Sequence, residues 1–211
     1  MGSIRQVTEY ASTERNAIAD LMAELGPEAP TLCAGWTTRD LAAHLVTRAT
    51  RADAAAGIVV RGLAGHMKRV QDRIAAREWP ALLTAVRKRP WWALFVDEPL
   101  NRTEYFIHHE DVRRAQPEWQ PRQLDHDYAD ALWLGVRTQA RLALRRTPAT
   151  VRVTAPGLGT IEAGRGGPGV NLVGEPGELL MFLSGRQKHA RVELTGPPEI
   201  TGRMWTARYG V

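Results

Sequence analysis

The chain is poor in cysteine, with a single residue, Cys33, among 211. One thiol excludes an internal disulfide framework and fits a reducing compartment. No base neighbours it along the chain, so Cys33 reads as a small buried hydrophobe rather than a nucleophile. Long apolar runs are lacking as well. The longest, Ala54 to Val60 interrupted by Gly57 and Trp91 to Val96, fall far short of the roughly 20 residues that span a bilayer. The N-terminus has neither a basic region leading into an apolar stretch nor a small-residue cleavage site, so export is not expected and the cytoplasm is.

Charge of one sign is scarce too: 28 Lys and Arg stand against 23 Asp and Glu, a formal net charge of +5. So small an excess, spread along the chain, suits solubility and acidic small molecules, and predicts neither a nucleic-acid nor a membrane partner. The run Arg87-Lys88-Arg89-Pro90-Trp91-Trp92 mixes bases with aromatics, but it sits at a helix end, where basic residues are favoured in any case. Internal repeats and long low-complexity segments are absent. The glycines from Gly164 to Gly169 lack the strand, lysine and Ser/Thr context of a phosphate loop and read as a hairpin turn.

What is present is a hydrophobic fraction of 44%, ample for a packed core. The first two thirds read as helices. Ala11, Ile18, Leu21, Met22 and Leu25 recur at helical spacing from about Thr8, and Gly26-Pro27 stops the run. Thr37, three residues before Asp40, resembles a capping box and starts a helix through His44 to about Ala55. Further helices are expected from Met67 to Ala76, from Trp79-Pro80 to Pro90, from Asp97 to about Arg114, and from Asp127 to Arg146 with Leu132, Val136, Leu142 and Leu144 inward. Four or five such helices make an antiparallel bundle. Beyond Thr147-Pro148, short strands around Val151 to Thr154, Thr160 to Ala163 and Val192 to Thr195 surround a helix closed by Gly185. The expected division is therefore 1–147, a helical bundle, and 148–211, a small C-terminal α/β domain.

In the helix that follows Pro99, Glu104 and His108 lie four residues apart and share one face. His44 faces inward from its own helix. Such a set, two histidines and one carboxylate, would leave a bound metal with open positions, as catalytic sites do. Each residue also has an ordinary reading: Glu104 and His108 as a helix pair, His44 as a hydrogen-bonded core histidine. Asp111, three residues beyond His108, either orients that imidazole, supplies a fourth oxygen, or pairs with Arg113 or Arg114. His109 points about 100° away from His108 on the same helix and drops out.

Three motifs, Gly35-Trp36-Thr37 leading to Asp40-Leu41-Ala42-Ala43-His44, Glu104-Tyr-Phe-Ile-His108-His-Glu-Asp111, and Gly174-Glu-Pro-Gly-Glu-Leu-Leu-Met-Phe-Leu-Ser-Gly185-Arg186, together resemble the mycothiol-dependent maleylpyruvate isomerase family of the DinB-like metalloprotein superfamily. The resemblance runs in order over nearly the whole chain. It implies an α+β, mainly α fold: a DinB-like antiparallel four-helix bundle with an extra helix, then a small C-terminal α/β unit. It implies His44, Glu104 and His108 as ligands of a divalent metal, commonly zinc. Arg186 matches a family arginine that reaches toward the active site, although a cation there also complements the dipole of the helix it follows. Arg69 is the nearest candidate for a further arginine in the bundle.

The function so implied is thiol-dependent transfer or isomerisation of a small electrophilic substrate, with mycothiol as cosubstrate. Metal coordination favours the thiolate, the nucleophilic form of a thiol. Addition of the thiolate to an activated double bond, rotation and elimination would return the thiol and an isomer; attack at another electrophilic carbon would leave a conjugate. In this scheme Arg186 holds a substrate carboxylate bidentately, and Asp111 orients a ligand. A non-catalytic metal- or small-molecule-sequestering protein and a non-haem iron site are the competing expectations.

Overall fold

The computed structural model describes residues 10–50, 64–88 and 97–209. The apolar runs 54–60 and 91–96 and most of the basic-aromatic stretch 87–92 lie outside them. Among the described residues no helix is long and apolar enough to cross a membrane.

The chain divides into two compact units, Met1–Trp119 and Gln120–Val211. The first is helical: α1 (Tyr10–Leu25), α2 (Thr38–Thr50), α3 (Ala64–Ala75), α4 (Trp79–Arg87) and α5 (Asp97–Arg113). Its helix ends follow local chemistry. Gly26 closes α1 with a positive φ of 83° that a side chain would disfavour, and its amide bonds the Met22 carbonyl. At the start of α2 the Asp40 carboxylate accepts from the Thr37 amide and hydroxyl, both at 3.0 Å, while the Asp40 amide returns to the Thr37 hydroxyl. That reciprocal pairing is the capping box expected from the sequence, with Asp in place of Glu. Pro80 occupies the first turn of α4, where a missing amide costs nothing.

One apolar cluster joins these helices. Ile18 and Met22 of α1, Leu41 and Leu45 of α2, Leu82 and Val86 of α4, and Tyr105 and Val112 of α5 meet in it, all buried. Helix α1 packs against α5 and α4, and α2 against α3 and α4.

The second unit contains α6 (His126–Leu144), β1 (Thr150–Ala155), β2 (Gly159–Gly164), β3 (Gly169–Val173), α7 (Pro176–Leu183), a 3-10 turn (Gln187–His189), β4 (Glu193–Thr195) and α8 (Pro198–Thr206). The boundary expected at 147 thus differs from the division after Trp119. The reason is the apolar stripe of α6, Leu132, Val136, Ala140 and Leu144, which packs with α7 and with strands β1 and β2. Leu142, expected inward, is 53% exposed, because it lies two residues from both Ala140 and Leu144 and so on the opposite side of the helix.

The sheet order is β2-β1-β3-β4, with β1 antiparallel to β2 but parallel to β3. Strand β3 and helix α8 have no counterpart among the expected elements. Gly164 to Gly169 is not a hairpin turn, since β2 and β3 lie on opposite sides of β1; the segment crosses the end of β1. It passes close there: a Cβ on Gly164 would fall 2.1 Å from the Ala149 carbonyl oxygen, a contact no side chain could make. Every residue of α7 is buried, as suits a helix whose second half is wholly apolar; its one acid, Glu178, accepts from the Arg191 amide at 2.7 Å. The helix ends in a Schellman motif, in which the Gly185 amide bonds Phe182 and the Arg186 amide bonds Met181, with Gly185 at φ 88° supplying the left-handed turn.

Candidate metal centre

Within the first unit, helix geometry fixes one half of the site. Glu104 and His108, one turn apart on α5, approach to 3.3 Å between Oε1 and Nε2. Packing of α2 supplies the other half. The His44 ring stands edge-on to His108, with centroids 5.3 Å apart, and the Trp36 ring lies tilted against His44 at 5.1 Å. One ligand atom from each of His44, Glu104 and His108 falls within 4.8 Å of the others. The three residues singled out in the sequence are therefore neighbours in space.

His108 is approached through both ring nitrogens. Its Nδ1 lies 3.0 Å from Oδ2 of Asp111, and Asp111 is fully buried. A carboxylate at Nδ1 makes that atom the proton-bearing one and directs Nε2 toward Glu104 and His44, the arrangement common behind metal-binding histidines. Asp111 thus stands where a residue that orients the His108 ring would stand. The alternative pairing falls to its neighbour Glu110, which bonds Arg113 at 2.7 Å and Arg114 at 2.5 Å. His109 turns to Glu14 of α1, 2.6 Å away, as its 100° offset required.

Cys33 departs from expectation. Its thiol donates to the same Asp111 Oδ2 at 3.2 Å, and Cys33, His108 and Asp111 form a second group of convergent metal-binding atom types. The cysteine is half-buried, not buried, and a carboxylate is beside it after all. The loop holding it is docked on α5 by the Leu32 amide, which bonds the Asp111 carbonyl at 3.0 Å. Cys33 and Asp111 stand 78 positions apart in the chain, so no sequence signal was available.

Arg48 was also missed as a site residue. It lies 3.7 Å from Oε2 of Glu104, leaving Oε1 to face His108. Here a signal existed, since Arg48 follows His44 by one helical turn. Arg69, by contrast, is exposed on α3. Arg186 belongs to the second unit, where it is half-buried and its guanidinium donates to the Ser184 carbonyl at the end of α7.

The electrostatics divide the two histidines. Burial, then the charge of His108, lowers the His44 pKa to about 4, so this imidazole is neutral at pH 7 with a lone pair available. Burial also disfavours charge on His108, but hydrogen bonds to Asp111, Cys33 and Glu104 and the Glu104 charge outweigh it and raise its pKa well above the ordinary value. Burial opposes ionisation of Glu104 too; the His108 hydrogen bond and charge, with help from Arg48, prevail and lower its pKa to about 2. Without metal, a proton on Nε2 of His108 sits between the imidazole and Glu104.

The donor set fits a divalent cation. Two ligands about 2.1 Å from one ion at the tetrahedral angle stand about 3.4 Å apart, close to the 3.3 Å between Glu104 and His108. Three protein ligands, one carboxylate among them, leave a fourth position open.

Fold and cluster together define a mainly helical α+β protein with a candidate centre of two histidines and one carboxylate. Among solved structures, this fold is that of the mycothiol-dependent maleylpyruvate isomerase, at 15% identity and a TM-score of 0.62 over 92% of this chain and 93% of that one. A histidine-to-alanine mutant of the isomerase matches equally, at 13% identity with the same TM-score and coverage. No protein-family model and no curated protein sequence matches this chain.

Proposed function

We propose that the chain is a metal-dependent member of the mycothiol-dependent maleylpyruvate isomerase family, holding zinc at His44, Glu104 and His108. It acts as a thiol-dependent transferase or isomerase on a small electrophilic substrate, with mycothiol or a similar low-molecular-weight thiol as cosubstrate. The observation that carries this reading is the convergence of those three side chains from α2 and α5, on a fold shared with an enzyme that uses such a thiol.

A zinc ion held there supplies a Lewis-acidic position that favours the thiolate form of a bound thiol. The protein's own groups do the rest. Asp111 holds the proton on Nδ1 of His108 and so keeps Nε2 available. Arg48 fixes the second oxygen of Glu104. Arg186 binds a carboxylate of the substrate through its planar fork. The reducing cytoplasm keeps both the cosubstrate and Cys33 as thiols.

Metal analysis of the purified protein tests the ligand assignment. His44→Ala and His108→Ala should each remove stoichiometric zinc, and full zinc content in both overturns it. For the chemistry, the zinc-loaded protein is offered a thiol and an electrophile such as a cis-unsaturated diacid. Product must require the thiol; turnover without it rejects the mechanism, and tight binding with no turnover favours a sequestering protein.

A further inference from the structure

The second unit contains a cavity of about 310 Å³ between the C-terminal part of α6 and helix α8 with the segment that follows it. Its volume lies at the small end of the range for ligand sites. Four arginines line it, Arg145, Arg146, Arg203 and Arg208, and no acidic residue does. Arg145 is used internally, donating to the Leu142 carbonyl at 2.8 Å. Arg146, Arg203 and Arg208 have no ion pair among the described residues and are exposed.

Basic residues near helix C-termini have an ordinary explanation, compensation of the helix dipole, and α6 and α8 both end here. The magnitudes do not balance. Each helix end carries about half a negative charge, so two ends offset roughly one of four guanidinium charges. The remaining positive charge meets no acidic residue in the lining and is left available to a bound anion.

Most of the rest of the wall is apolar, with Thr147 and Tyr209 as the exceptions. Met204 and Ile200 of α8 are buried, and Leu142 presents its side chain on the face of α6 turned away from the apolar stripe. Tyr209 completes the lining. Its pKa is raised by burial to about 12, so its hydroxyl stays protonated and brings no negative charge.

We propose that this cavity binds a small organic oxyanion, a carboxylate or phosphate carried on an apolar frame. Arg146, Arg203 and Arg208 hold the oxyanion, and Leu142, Ile200 and Met204 pack against the frame. Guanidinium forks match either oxyanion. The cavity shares no residue with the candidate metal centre, so this assignment stands or falls separately from the function proposed above.

Anilinonaphthalene sulfonate, an anion on an aromatic frame, is the probe, with its fluorescence titrated against the intact chain. One saturable site per chain is expected, with affinity falling as salt rises and the uncharged relative phenyl-naphthylamine binding more weakly. Arg146→Glu with Arg203→Glu should weaken the probe by roughly tenfold or more while zinc content is unchanged. Leu142→Trp fills the cavity without altering its charge and should also block binding; it decides the matter if the double variant does not fold. Displacement by phenyl phosphate or by phthalate then tells which oxyanion is preferred. Unchanged binding in the folded variants overturns the proposal, as does displacement by neither compound. It is likewise overturned if a single-stranded oligonucleotide displaces the probe at a lower concentration than either, which would make the surface one for nucleic acid.

Discussion

The helical unit keeps exposed pairs such as Lys68 with Asp72, but it also holds polar and charged side chains inside, each with a partner: Glu14 with His109, Glu110 with Arg113 and Arg114, and His108 between Glu104 and Asp111. In the second unit they lie mostly at the surface. There Arg152 meets Glu162 across the exposed face of the sheet, and the arginines of the cavity gather with no acid among them. Burial explains the contrast. An ion taken out of water must find a partner or give up its charge, whereas water at the surface screens like charges well enough for them to cluster. The first arrangement makes a stable acid–base network whose members constrain one another. The second leaves charge available for a ligand.

Breaking a buried pair should therefore have the largest effect. Glu110→Ala removes the carboxylate that Arg114, itself buried, bonds through its guanidinium, and should cost about 3–5 kcal/mol in denaturant unfolding. The same deletion at the surface sharpens the comparison from the other side. Glu162→Ala, which removes the partner of Arg152, should cost less than about 1 kcal/mol; equal losses at the two positions would contradict the burial argument.

Next in size is the orienting role proposed for Asp111. Asp111→Asn keeps the shape but weakens the hold on the His108 tautomer, and should lower zinc affinity by about 10–100-fold in a chelator competition. Cys33→Ala removes one hydrogen bond to that carboxylate and should cost about 0.5–1.5 kcal/mol of stability, with a smaller change in zinc affinity than Asp111→Asn.

The network also sets a pH dependence for the metal-free protein. Folded His44 refuses a proton that the unfolded chain takes up between pH 6.5 and about 4, so stability falls on acidification through that window. His108 acts in the opposite sense. Its raised pKa contributes stability that is complete below pH 6.5 and is lost as pH rises through the folded value. Glu104 contributes above its ordinary 4.5 and loses that contribution as pH falls toward about 2. The melting temperature should thus peak near neutrality and decline on both sides. Zinc reverses the alkaline limb, because binding displaces the His108 proton and strengthens as pH rises; a zinc affinity independent of pH would contradict this.

Much of the geometry of the candidate site was legible because its signals are local. The four-residue step from Glu104 to His108, the 100° turn that separates His109, the Thr37 and Asp40 cap and the glycine closing α7 each follow from helix geometry over one or two turns. Strand β3 escaped notice because Val170 and Leu172 are only two buried residues set among glycines, and its stability comes from pairing with β1. Leu142 was misplaced because a run of alternating leucines and alanines offers a helix more than one apolar phase.

The sequence by itself determined which residue types stand on which helix face and where most helices begin and end, since backbone hydrogen bonding reaches only four residues along the chain. Only the tertiary structure decided that His44 meets His108, that Cys33 lies against Asp111, and that α6 packs with the sheet of the second unit. Those contacts depend on how apolar faces fit together at large sequence separation. Burial then decides which charges must be paired and which, like the arginines of the cavity, remain open to a partner.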